Sequence, residues 1–133
     1  MLVRQFLSGL TNHRDDEWGA DRTRFLREVL TAVRAAAGPD AVVALRLCGD
    51  ELAPWAGITP EQAPELAASI AADDGDARID LLTIVLGSIY SASATRPDGH
   101  TPPGFNLELT ASVRKAVEAA TGGRVPVVAQ GSI

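Results

Sequence analysis

The sequence predicts an α/β fold, a parallel sheet covered by helices. Segments with helical apolar spacing alternate with short apolar runs along the 133-residue chain. The runs are apolar throughout rather than at every second position, as strands buried on both faces are. Cap and turn residues fall between the segments, where an alternating fold needs them. This order implies βαβ units, each with a right-handed crossover.

The first segment, "MLVRQFLSGLTN", is an apolar patch with one arginine and no signal-peptide pattern. "HRDDEWGADRTRFLREVL" follows, crowded with charge, and could be either a site or the solvated face of a helix. Phe25, Leu26, Val29, Leu30, Val33 and Ala37 recur at helical spacing. They place a helix between an N-cap at Asp21 and a C-cap at Gly38, stopped by Pro39, with Phe25, Leu26, Val29 and Val33 toward the sheet. A strand is expected over 42–48, "VVALRLC". A second helix opens with Thr59 as N-cap and Pro60 at its first position, and Pro64 is tolerable in its first turn. A second strand covers 78–87, before a loop rich in Ser, Pro and Gly. The third helix is capped by Asn106 and closed by Gly122 and Gly123, and a third strand covers 124–133.

Composition narrows the function. A net charge of −5 argues against a nucleic-acid or acidic-membrane partner, since neither is met without a basic surface. No apolar run approaches the roughly 20 residues that span a bilayer. A single cysteine, Cys48, excludes a disulfide within the chain and fits a reducing, cytoplasmic setting. No metal-ligand spacing is present. The chain stops directly after a strand, and three parallel strands leave two open edges, so it reads as the middle of something larger.

In parallel α/β folds ligands bind at the carboxyl ends of the strands. Arg46 lies two residues before such an end. It is there either to meet a ligand or to pair with a core carboxylate, since an unpaired buried charge is costly. Gly131 and Ser132 close the last strand, where free N–H groups could meet a phosphate or simply turn the chain. Tyr90 and His100 fall in or beside the loop after the second strand, where packing and surface roles compete with a functional one. Cys48 reads as a small buried residue, and adjacent Asp50 and Glu51 point apart. Trp55 is expected to pack its own loop.

"FLSGLTNHRDDEWG…RTRFLREVL…VVALRLCGDE" resembles the old yellow enzyme family, which includes the bacterial NADH:flavin oxidoreductases and dienoyl-CoA reductases. "PVVAQGSI" resembles that family's seventh strand and its phosphate turn. "ELAPWAGITPEQ" and "GSIYSASATRPDGHTPPGFN" resemble, more narrowly, the branch associated with mycofactocin gene clusters. The resemblance implies a (β/α)8 barrel of which residues 1–133 are a part, from the end of strand four through strands five, six and seven. A typical barrel has about 250 residues. It also implies FMN-dependent oxidoreductase chemistry, in which NADH or NADPH reduces FMN and the flavin passes hydride to an unsaturated small-molecule substrate. Arg46 matches the arginine beside the flavin N1–C2=O edge, and Gly131 and Ser132 match the phosphate turn. Tyr90 and His100 fall where the family shapes its substrate pocket. The family's catalytic positions lie upstream of the residues matching "RQFLS", so none is carried over.

There are departures. Gly9 replaces a proline, "WGADRTRF" is about three residues short, and Cys48 replaces a serine. The shortened "GAD" is where the loop geometry is expected to fail first. Taken together, a truncated oxidoreductase with little activity alone is expected. A non-catalytic half-barrel that self-associates or pairs with a missing half is the alternative, and a small independent phosphate-binding α/β domain is another.

Overall fold

The computed structural model describes residues 2–95 and 98–130. In chain order the elements are α1 (Leu2–Leu7), α2 (Glu17–Ala20), α3 (Arg24–Ala37), β1 (Ala44–Asp50), α4 (Ala63–Ala71), β2 (Leu81–Leu86), a 3-10 turn (Ala92–Thr95), α5 (Leu107–Thr121) and β3 (Val127–Ala129). The strands form one parallel sheet in the order β1-β2-β3. The expected alternation of helix and strand is therefore present. The N-terminal apolar patch differs: it is helix α1, not the end of a strand.

The sheet has two unlike faces. Leu47, Leu82 and Ile84 are buried in the core with Val113 and Val117 of α5 and Ala63, Ala67 and Ile70 of α4. Successive strand residues point to opposite faces, so Ala44, Arg46, Leu81, Thr83, Val85 and Val128 point the other way. That second face is left open. In register, Arg46 pairs with Thr83 and Thr83 with Val128, a row running straight across it.

Several boundaries move from their expected places. Asp21 is not the N-cap of α3; Thr23 holds that position without a side-chain cap bond, and the Asp21 carboxylate accepts from the Thr23 N–H and hydroxyl one step earlier. The buried line of α3 is Leu26, Leu30 and Arg34, while Val33 is exposed. α4 begins at Ala63, not after Thr59. The Ala63 N–H still reaches Thr59 O at 3.0 Å, but Pro64 has no N–H, so the carbonyl of Pro60 finds no partner one turn on, and the ladder resumes where the Leu66 N–H reaches Gln62 O. β1 is shifted by two residues. At its start the Val43 N–H goes to the Asp80 side chain, and at its end Gly87 N–H reaches Asp50 O. β3 opens only at Val127; Arg124, before it, donates to the carbonyls of Ala71, Asp73 and Ile79, and residues 131–133 of the expected strand lie outside the described residues.

The charged stretch after α1 is structural. Asp16 caps α2 and pairs with Arg14. Arg24 sits 4.8 Å from the Trp18 ring and bonds Glu17 and Glu28. Phe6 stacks on Phe25 at 4.3 Å, and Trp18 meets both rings edge-on at 6.0 Å. The shortened "GAD" packs tightly: a Cβ on Gly19 would lie 1.9 Å from Arg14 O, so only glycine fits. Among the described residues no helix is long and apolar enough to cross a membrane.

A polar clamp closes the amino ends of the strands. Arg34, 6% exposed, bonds the Asp80 carboxylate at 2.7 Å and the carbonyls of Ala41 and Arg78. The Val43 N–H and then Arg34 hold the Asp80 carboxyl below its ordinary value of 3.8. A depressed folded-state value means that this stabilisation is full above 3.8 and is lost as pH falls through the lower folded value. Asp80→Asn is expected to cost about 2 kcal/mol in urea melts at pH 7, and the difference from wild type should shrink below pH 3.8. A pH-independent difference would show that Asp80 does not act through its charge.

Candidate functional site

The carboxyl ends of the strands carry a second, more buried clamp, built on Glu51. This carboxylate is 1% exposed. Arg4 of α1 donates to Oε1 from Nε at 3.1 Å and from Nη2 at 3.0 Å. The Ser8 hydroxyl and the Ile58 N–H, the latter at 2.9 Å, donate to Oε2. Arg4 Nη2 also bonds the carbonyl of Gly87 at the end of β2. One carboxylate thus ties α1, β1, β2 and the loop returning at Ile58. A cavity of about 70 Å³ lies against the cluster, lined among others by Arg4, Ser8, Glu51 and Ser88.

Cys48 sits beneath it. Its thiol lies 3.2 Å from Gly87 O and 3.3 Å from Asp50 O, and burial pushes its pKa up to about 11. A thiol so protonated at neutral pH is a packing group, not a nucleophile. Asp50 turns away and accepts from the Leu52 N–H, so the two adjacent carboxylates do not converge. Leu52 itself has φ of 52°, a conformation that disfavours a branched side chain and that the Asp50 bond helps to hold.

Arg46 is different from these residues. It is exposed on the open face, and it donates no hydrogen bond and forms no ion pair among the described residues. Among the described residues the buried core pairing expected as its alternative is not made. Its groove, at the carboxyl ends of the strands, is lined also by Val85, Leu86, Ala94, Thr95, Phe105 and Gln130. His100 lies in an adjoining groove that shares Leu86, Ala94 and Phe105. It is almost fully exposed and its Nδ1 lies 3.4 Å from Asp98. Tyr90 is not in either groove. It is 64% exposed and meets Trp55 edge-on at 5.9 Å, so Trp55 packs against the next loop rather than into its own. Gly131 and Ser132 lie outside the described residues.

A planar guanidinium beside apolar walls and one amide suits a flat ring with an electron-rich, carbonyl-bearing edge. The residues present on this side of the groove therefore fit a flavin. Sequence reasoning singled out Arg46 as a candidate and did not single out Arg4 or Ser8. The available signal was the lone arginine inside the apolar patch of α1, which needed a buried partner.

Glu51→Ala is expected to cost about 3–5 kcal/mol in a urea melt, because Arg4, Ser8 and the Ile58 N–H are left without an acceptor in a buried place. A cost below about 1 kcal/mol would mean that water replaces the carboxylate freely.

The sequence pattern of the NADH:flavin oxidoreductase / NADH oxidase family matches residues 1–128. A protein of Chromohalobacter salexigens named N,N-dimethylglycine/sarcosine dehydrogenase is 38% identical over 134 aligned residues, covering 96% of this chain and 18% of that protein. NADPH dehydrogenase of Clostridium acetobutylicum is 32% identical over 135, covering 99% of this chain and 35% of the relative. The fold matches a solved complex of 2-naphthoyl-CoA reductase with 2-naphthoyl-CoA at a TM-score of 0.76 and 32% identity, over 96% of this chain and 18% of that one. The chain therefore spans roughly a fifth to a third of the length of these relatives.

Proposed function

The chain belongs to the NADH:flavin oxidoreductase / NADH oxidase family, its sheet and helices being part of a (β/α)8 barrel, and on that premise we propose that it carries one wall of an FMN site. The observation that supports this reading is Arg46, a guanidinium presented on the open sheet face with no partner among the described residues. Bound FMN would supply two-electron chemistry between NADH or NADPH and a small unsaturated substrate. Arg46 would place fixed positive charge beside the flavin edge where negative charge collects on reduction, an electrostatic role that water cannot match in a closed site. Val85, Leu86 and Phe105 would exclude water from that edge. Gln130 would supply an amide on the same wall. His100, in the adjoining groove, would meet substrate rather than flavin.

One wall does not make a closed site. The purified 133-residue chain, titrated with FMN by flavin fluorescence, is expected to bind more weakly than micromolar and not to oxidise NADH. Arg46→Ala should weaken the remaining affinity by about tenfold, the loss of one charge-assisted contact. Micromolar binding with NADH oxidation would overturn the inactivity, and an unchanged affinity in Arg46→Ala would overturn the role of Arg46.

The open face supports a second reading, a half-barrel that pairs with another. Val128 is 42% exposed in the row with Arg46 and Thr83, and both outer strands have bare edges. Size exclusion with light scattering should give a discrete dimer if this pairing occurs. Indefinite aggregation would leave only the flavin-wall reading.

A further inference from the structure

Asn106 stands at the N-cap of α5, yet its side chain makes no cap bond. It is 3% exposed, and its Nδ2 donates instead to two carbonyls, Ile84 O of β2 at 2.8 Å and Gln130 O, just past β3, at 3.3 Å. Two carbonyl partners settle which end of the amide faces the sheet, since only the NH2 end can donate. The last direct pair of the β2–β3 ladder is Ile84 with Ala129. The amide spans the two strands where that ladder ends. Gln130, the second acceptor, and Phe105, the preceding residue, both line the Arg46 groove.

We infer that Asn106 is a positioning residue for this groove: it holds the carboxyl ends of β2 and β3 together and so fixes the wall that Gln130 shares with Arg46. The flavin part of this inference rests on the reading above; the strand clamp does not. Helix capping alone would accept Asp or Ser equally well at this place. Strand clamping would accept neither, because an ionised Asp cannot donate and Ser is too short to reach both carbonyls.

Amide hydrogen exchange on the full 133-residue chain separates the two roles. In Asn106→Ser, protection at residues 84–86 and 129–130 is expected to fall by about tenfold while α5 keeps its own. Asn106→Asp should lose at least as much; where it does not fold, Asn106→Ser decides alone. Val113→Ala, a cut into the buried face of α5, should loosen α5 and spare the strand ends. Fraying confined to the first turn of α5 in Asn106→Ser, with the strand ends unchanged, would overturn the clamp. In FMN titrations Asn106→Ser should bind about tenfold more weakly than wild type, and more weakly than Val113→Ala. Equal affinity would overturn the positioning role. A wild-type chain that takes no FMN even at millimolar concentration would overturn the flavin reading instead, and the exchange data would still judge the clamp.

Discussion

The carboxylate of Glu51 is the constraint on which the ligand end of this molecule depends. Burying an ion costs several kcal/mol unless its lone pairs are filled. Here they are filled by Arg4, Ser8 and the Ile58 N–H, drawn from two separate stretches of chain. The requirement runs both ways. Glu51 cannot stay buried unless α1 docks, and α1 has only a short apolar face to dock with, Leu7 being its buried residue. The ion pair and the stacking of Phe6 on Phe25, rather than helix propensity, therefore hold six residues of helix in place. Through Gly87 O the same arginine fixes where β2 stops.

The sheet is held at both ends by polar clamps and in the middle by apolar packing on one side only. Arg34 and Asp80 close the amino end. Arg4, Glu51 and Asn106 close the carboxyl end. Between them Leu47, Leu82 and Ile84 press on α4 and α5. This arrangement lets the opposite face stay uncovered without losing register. A one-residue slip would turn Leu82 and Ile84 into the open and break both clamps at once. The uncovered row of Arg46, Thr83 and Val128 is in turn what a barrel segment must present toward its axis.

The order of elements was readable because it rests on local signals: apolar period, caps and breakers. Gly38 and Gly122 end their helices as expected, with φ of 92° and 62°. The misread positions depend on distant partners. Val33 follows the apolar spacing of α3, yet the buried place one turn from Leu30 goes to Arg34, because Asp80 and two carbonyls lie there. Asn106 is a good cap residue by type, but the carbonyls of Ile84 and Gln130 claim its amide. Glu51 looked like one of two adjacent strand-end acids, and nothing local tells that Arg4, 47 positions away, belongs to it. Helical period is written in neighbours; the partners of buried charge are not.

The arginines sharpen the case for Arg46. Arg34, Arg78 and Arg124 donate to main-chain carbonyls, and Arg4 to one carbonyl and a buried carboxylate. Arg24 covers a tryptophan. Each of these spends its planar fork on the fold, a use in which five fixed donors outdo the single ammonium of lysine. Arg46 has the same fork on a strand interior, where nothing in the fold needs it among the described residues. A stability role would be met there by a β-branched apolar residue, which strand propensity favours. A long cation in that row is unfavourable for packing unless a ligand or a carboxylate meets it. Among the described residues the fold gives Arg46 no partner, so its presence on the strand calls for one from outside them.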